Sequence, residues 1–193
     1  MAGPGVSRRA VLCSCLGAVA AVHSLDARAD DVPDPDRSQL PQPGDLLVEA
    51  GVEVGTTPLK PEDIGPGEVL LAWAFDPQKK IPRNGSRLNM VLLMRFDPAT
   101  LGDDERANTA DGVVAYSATC THQQCPVTDW LRSVQVLQCP CHQSRYDPRQ
   151  GAKVVGGPAP RPLPSLPLRL SNGVLDVAAT FTDRVGGMQQ QGA

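Results

Sequence analysis

Four of the six cysteines and two of the three histidines fall between Cys120 and His142. They form two clusters, Cys120-Thr121-His122-Gln123-Gln124-Cys125 and Cys139-Pro140-Cys141-His142-Gln143-Ser144-Arg145-Tyr146. The other Cys and His residues, Cys13, Cys15 and His23, all lie near the N-terminus. A chain with this distribution must bring two short loops together around a metal centre or a disulfide. Soft thiolates and borderline imidazoles together suit zinc or an iron–sulfur cluster. Zinc fingers usually present pairs such as C-x2-C and H-x3–5-H. Here each loop instead supplies a Cys and a His one or two residues apart, with a second Cys besides.

The surrounding pattern is β. Val69–Phe75 and Met90–Phe96 are apolar runs too short for helices, with a turn signal at Asn84-Gly85-Ser86. Val113–Ala118 and Val134–Leu137 read as further strands. Leu166, Leu168 and Leu170 alternate with other residues, and Asn172-Gly173 leads into Val174–Val177, a hairpin signature. Gly and Pro supply 18 and 19 residues, about 19% of the chain, which is below the roughly 25–30% of low-complexity sequence. A hydrophobic content of 41% is enough for a core. No long amphipathic helix is evident, so the expected fold is all-β, an antiparallel sandwich or barrel.

The doubled pattern C-x-H-x2-C and C-x-C-H-x-S resembles that of the Rieske iron–sulfur family, most specifically over residues 113–165. The resemblance implies a Rieske-type sandwich or barrel over 46–183, with a small cluster-binding subdomain at about 113–165. It implies a [2Fe-2S] cofactor in which Cys120 and Cys139 bind one iron through sulfur, and His122 and His142 bind the other through nitrogen. Two ferric ions, two sulfides and two thiolates sum to zero charge, whereas four thiolates would leave −2. The neutral centre accepts an electron more readily, at about −150 to +300 mV against about −400 mV for plant-type ferredoxins. In the respiratory branch, the residues corresponding to Cys125 and Cys141 form a disulfide joining the loops. Ser144 and Tyr146 stand where high-potential members hydrogen-bond a sulfide and a cysteine sulfur. Gly156-Gly157-Pro158-Ala159-Pro160 resembles the loop that covers the cluster, with Gly157, Pro158, Ala159 and Pro160 in the covering positions. Gln143 replaces the glycine many relatives have after the second His, and Gln123-Gln124 replaces an apolar-Gly pair.

The ends read differently. Ser7-Arg8-Arg9, the acid-free apolar stretch Ala10–Val22 and the small-x-small site Ala27-Arg28-Ala29 read as a twin-arginine-like export signal over 1–29. As a helix, Ala10–Val22 would span about 20 Å, short of a hydrocarbon core of about 30 Å. That favours cleavage over a retained anchor, with membrane association through residues 10–25 as the alternative. Residues 30–45, acidic and Pro-rich, read as a linker, and 184–193 as a flexible tail. The net charge of −3 argues against a nucleic-acid partner, and removal of 1–29 makes it −5, which suits a partner with a basic patch. The expected location is the periplasm or the periplasmic face of the inner membrane.

The expected function is one-electron transfer to a cytochrome or a catalytic oxidoreductase subunit, with quinol as a further candidate donor. Three settings use such a centre: a cytochrome bc-type quinol oxidase, the small subunit of an arsenite-oxidase-like molybdenum enzyme, and an independent carrier. No substrate-converting site of its own is evident. A ring-hydroxylating oxygenase would need two more histidines and a carboxylate on a mononuclear iron, and only His23 is spare. The rival from another class is a structural zinc module used for binding.

Overall fold

The computed structural model describes Met1 and residues 34–51 and 56–187. The export signal or anchor expected over residues 1–29 lies outside the described residues, Met1 apart. Among the described residues, no helix is long and apolar enough to cross a membrane.

Among the described residues eleven strands carry the fold: β1 (Leu46–Glu49), β2 (Leu70–Asp76), β3 (Ile81–Pro82), β4 (Val91–Arg95), β5 (Val113–Ser117), β6 (Asp129–Leu131), β7 (Val136–Gln138), β8 (Arg145–Asp147), β9 (Lys153–Gly156), β10 (Leu168–Ser171) and β11 (Val174–Val177). Seven form one antiparallel sheet in the order β10-β11-β1-β2-β4-β5, with β3 added to β2. The other four form a smaller meander, β6-β7-β8-β9. Among the described residues the protein is thus nearly all-β, with the short helices α1 (Pro35–Ser38) and α2 (Asp103–Arg106) and single 3-10 turns as the only helical elements.

Strands β4 and β5 explain how the two sheets meet. Val91, Leu93, Val113 and Ala115 point into a core shared with β1, β2, β10 and β11. Leu92, Met94, Val114 and Tyr116 point the opposite way, into a core shared with Leu137, Cys139 and Tyr146 of the small subdomain. Both strands are therefore buried on both faces, which accounts for their unbroken apolar runs. The hairpin predicted at Asn172-Gly173 joins β10 to β11, with Ser171 opposite Val174. Both turn residues adopt positive φ, 53° and 80°, as a primed turn requires.

The segment before β1 departs from the linker expected over 30–45. Residues 34–45 are docked on the domain. Arg83 and Asp45 are almost fully buried and form a two-pronged ion pair, with Nη2 donating to Asp45 Oδ1 at 2.9 Å. Arg83 Nη1 also donates to Gln39 Oε1 at 2.8 Å. Asn89 Nδ2 donates to the Gln39 carbonyl at 2.7 Å and to the Arg83 carbonyl at 3.0 Å. The segment has little apolar surface of its own, and its anchors are polar groups distant in sequence.

A buried carboxyl closes the gap between α2 and the sheet. Glu105 accepts from Ser165 Oγ at 3.0 Å. Burial pushes its carboxyl above the usual range, only partly offset by the hydrogen bonds from Tyr116 and Ser165. The folded state therefore holds a proton that the unfolded chain releases, and stability falls as pH rises from the ordinary glutamate range through the raised value. In urea titrations, Glu105→Gln should gain on the wild type as pH is raised from about 4.3 upward; a gap that widens toward acid would contradict the assignment. Leu92→Ala and Leu93→Ala, on opposite faces of β4, should each cost about 2–5 kcal/mol. Val134→Ala, at an exposed turn, should stay within about 0.5 kcal/mol.

Candidate metal centre

Two loops with one backbone pattern build the site. In the first, Cys120 N–H donates to the Cys125 carbonyl at 2.8 Å, and Gln124 N–H to the Cys120 carbonyl at 3.0 Å. In the second, Cys139 N–H donates to the Ser144 carbonyl at 2.9 Å, and Gln143 N–H to the Cys139 carbonyl at 2.9 Å. Gln124 and Gln143 occupy equivalent corners, with φ of 60° and 58°. This left-handed conformation is the one glycine adopts freely. The turn expected from glycine-bearing relatives is thus kept here by glutamine, at a local steric cost of about 1–2 kcal/mol each.

The loops face each other. Cys125 and Cys141 are bonded as a disulfide across them. Cys120 and Cys139 are free thiols, each about 1% exposed. The imidazoles of His122 and His142 meet edge to face, with ring centroids 4.7 Å apart. His142 is exposed, whereas His122 is half-buried. The sulfur of Cys139 also lies within 4.8 Å of both disulfide sulfurs.

Two hydroxyl side chains, those of Tyr146 and Ser144, are buried behind the loops. Tyr146 is fully buried and its hydroxyl lies 3.2 Å from Cys120 Sγ. Burial pushes the Tyr146 phenol well up, and the Cys120 sulfur adds to the shift, so the group stays an O–H donor. Ser144 Oγ and His122 Nδ1 are buried without a hydrogen-bond partner. Burial also raises the Cys139 thiol, with the Cys120 thiol beside it acting in the same direction. Two dry, neighbouring thiols can both ionise only beside a strong positive charge. An unpaired imidazole nitrogen, an unpaired hydroxyl and two buried thiols fit a cationic centre that also presents acceptors.

The covering loop contributes a third side. Gly157 has φ of 78°, and a Cβ there would fall 2.5 Å from Ser144 Cα. Pro158 and Pro160 then line a groove with Thr121, His122, Gln123 and Gln124, and Ala159 is buried beneath.

A fourth side was not anticipated. Residues 184–187, expected to begin a flexible tail, pack on the first loop: Val185, Gly186 and Gly187 are buried. A Cβ on Gly187 would lie 2.5 Å from the His122 carbonyl. Arg161 holds this strap, with Nη1 on Asp183 Oδ2 at 3.3 Å and Nη2 donating to the Gly186 carbonyl. The Arg161 carbonyl in turn accepts from Thr121 Oγ1 at 2.7 Å. Arg87 adds a bond to the Gln124 carbonyl at 2.9 Å. Nothing local in the sequence marks Arg87, Arg161 or Gly187, because their partners lie more than 20 residues away.

A family model of the Rieske [2Fe-2S] domain matches residues 95–167. The chain is 30% identical over 154 residues to the cytochrome bc1 complex Rieske iron-sulfur subunit of Streptomyces lividans, covering 78% of this chain and 89% of that one. The chain belongs to the Rieske [2Fe-2S] family. A Streptomyces coelicolor bc1 Rieske subunit is likewise 30% identical over 154 residues, but there the match spans only 43% of the relative. A Haloferax mediterranei protein provisionally named respiratory nitrate reductase subunit Rieske is 38% identical over 107 residues, covering 54% of this chain and 48% of that one. Membership of the family carries the Rieske-type [2Fe-2S] cofactor with it.

The glutamine corners of this Rieske protein yield a prediction. Gln124→Gly and Gln143→Gly should each lie between neutral and about 1 kcal/mol more stable in denaturant titrations, as relief of the left-handed cost is partly offset by the entropy of glycine. Gln143→Val should be clearly destabilising. Equal loss from the Gly and Val variants would contradict a conformational origin.

Proposed function

We propose that this Rieske protein passes single electrons between a donor and an acceptor within an oxidoreductase chain. Cys120 and Cys139 would hold one iron, and His122 and His142 the other. When bound, the cluster supplies one reversible electron at a potential above that of an all-thiolate centre. The observation that carries the reading is the pairing of two buried thiols with two adjoining imidazoles, one of them exposed, on loops cross-linked by a disulfide.

The chain's own residues set the conditions. Tyr146 O–H aims at Cys120 Sγ and stabilises negative charge on that sulfur. Ser144 O–H, otherwise unpaired, serves the same end on the other side. The Cys125–Cys141 bond holds the two loops at a fixed separation, and Gly157 lets the covering loop seat against Ser144 without a gap. His142 presents the exposed ring at which a partner makes contact, while His122 is half-buried.

A place in a cytochrome bc-type complex is supported by the Streptomyces relatives and by the Ser144/Tyr146 pair. The small subunit of an arsenite-oxidase-like molybdenum enzyme is a second reading; the likeness to a Haloferax protein named for a respiratory nitrate reductase supports an oxidoreductase setting outside the bc1 complex. Placement on the exported side of the membrane rests on Arg8-Arg9 with its apolar stretch, and on a disulfide that persists only in an oxidising compartment.

Purified protein should contain iron and acid-labile sulfide in equal amounts and titrate as a one-electron couple. Zinc without sulfide would end the reading. Ser144→Ala and Tyr146→Phe should keep the cluster and each lower the midpoint potential by tens of millivolts, since roughly 1 kcal/mol corresponds to roughly 40 mV for one electron. Unchanged potentials would remove both residues from the tuning role.

A further inference from the structure

The total charge of the chain conceals an opposite charge at the end that carries the site. Residues 113–165 hold five basic residues, Arg132, Arg145, Arg149, Lys153 and Arg161, against two acids, Asp129 and Asp147. That segment is therefore +3 in a chain of net −3, and the remainder carries −6. The stretches that surround the histidines, 120–128, 139–146 and 148–165, contain no acidic residue.

The structure shows which of these charges face outward. Arg145 and Lys153, on β8 and β9, are exposed, whereas Arg132, 70% exposed, is paired with Glu68 at 3.8 Å. Arg145 lies alongside Gly156, at the start of the covering loop. Exposed Arg87 reaches in from the large sheet to the Gln124 carbonyl. The acid nearest this end on the strap, Asp183, is paired with Arg161. Of the two acids in the segment, Asp147 is turned onto the backbone N–H of Arg149 at 2.9 Å. The surface between these cations is neutral, formed by Gln123, Gln143, Pro158 and Pro160, all exposed, around His142.

We propose that the cluster end is a positive docking surface for a redox protein whose electron-entry site is ringed by acidic residues. Screening confines charge effects to about 8–10 Å at physiological salt. A partner that meets the two loops therefore feels Arg145, beside Gly156 of the covering loop, and Arg87, on the carbonyl of Gln124, ahead of the acids of the large sheet. Complementary charge steers approach and fixes orientation more than it adds affinity. A partner with a basic rim, as the total charge suggests, would meet repulsion at this end.

The inference rests on the electron-transfer reading, so the test begins with protein whose cluster is verified by EPR; a cluster-free chain would fail that reading and not this one. The reduced protein is mixed with ferricyanide, which takes one electron and becomes ferrocyanide, or with the cationic oxidant cobalt(III) tris-phenanthroline. The rate with ferricyanide should fall as ionic strength rises, although both reactants are net anions, and the rate with the cobalt complex should rise. Arg145→Glu should slow ferricyanide at low salt at least about twofold, and Lys60→Glu, exposed on the other part of the chain, should not. A ferricyanide rate that rises with salt, or an equal loss in Lys60→Glu, would overturn the proposal.

Discussion

Thiols buried side by side resist ionisation, and an imidazole nitrogen sealed from water with nothing to bind destabilises a fold. Cys120, Cys139 and His122 are held in that condition together. Two turns with the same internal hydrogen bonds present these groups, and the Cys125–Cys141 bond sets how far apart the turns stand. The rest of the molecule keeps that arrangement dry and fixed. Strands β4 and β5 supply one core behind the turns and another behind the large sheet. The small meander carries the second turn on β7 and β8. The covering loop, the strap and Arg87 close on the turns from outside.

The legible parts of the sequence are those whose signal is local. The Met90–Phe96 run and the Asn172-Gly173 turn are found as β4 and a hairpin, because burial on both faces and a positive-φ turn each dictate residue types on the spot. The site loops were legible because Cys and His are scarce and their spacing is narrow. Strands β6, β8 and β9 escaped notice: three or four residues each, rich in Arg, Asp and Lys, they owe their pairing to neighbours in space. Residues 34–45 and 184–187 looked like a linker and a tail for the same reason. Their attachments are polar bonds from Arg83, Asn89 and Arg161, which no periodicity announces. The corner glutamines belong here too, since a left-handed φ in a residue other than glycine is imposed by the turn's hydrogen bonds and not preferred by the side chain.

Distribution of charge matters more than its sum. A single number for the whole chain suggests one kind of partner, yet residues 113–165, which carry the site, sum to the opposite sign. The asymmetry between the two histidines points the same way. His142 is exposed, while His122 is half-buried, with its carbonyl against Gly187 and its groove shared with Pro158 and Pro160. Access to the centre is directional, and the direction is toward a surface that differs chemically from the remainder of the domain.

The central claim is that one iron is held by nitrogen from both loops. Electron spin echo modulation of the reduced protein, prepared with 15N-histidine, tests it without reference to any partner. The account predicts strong couplings from two imidazole nitrogens, reduced to one when either His122 or His142 is replaced and a centre still assembles. A spectrum lacking nitrogen couplings, or one unaffected by both replacements, would contradict it.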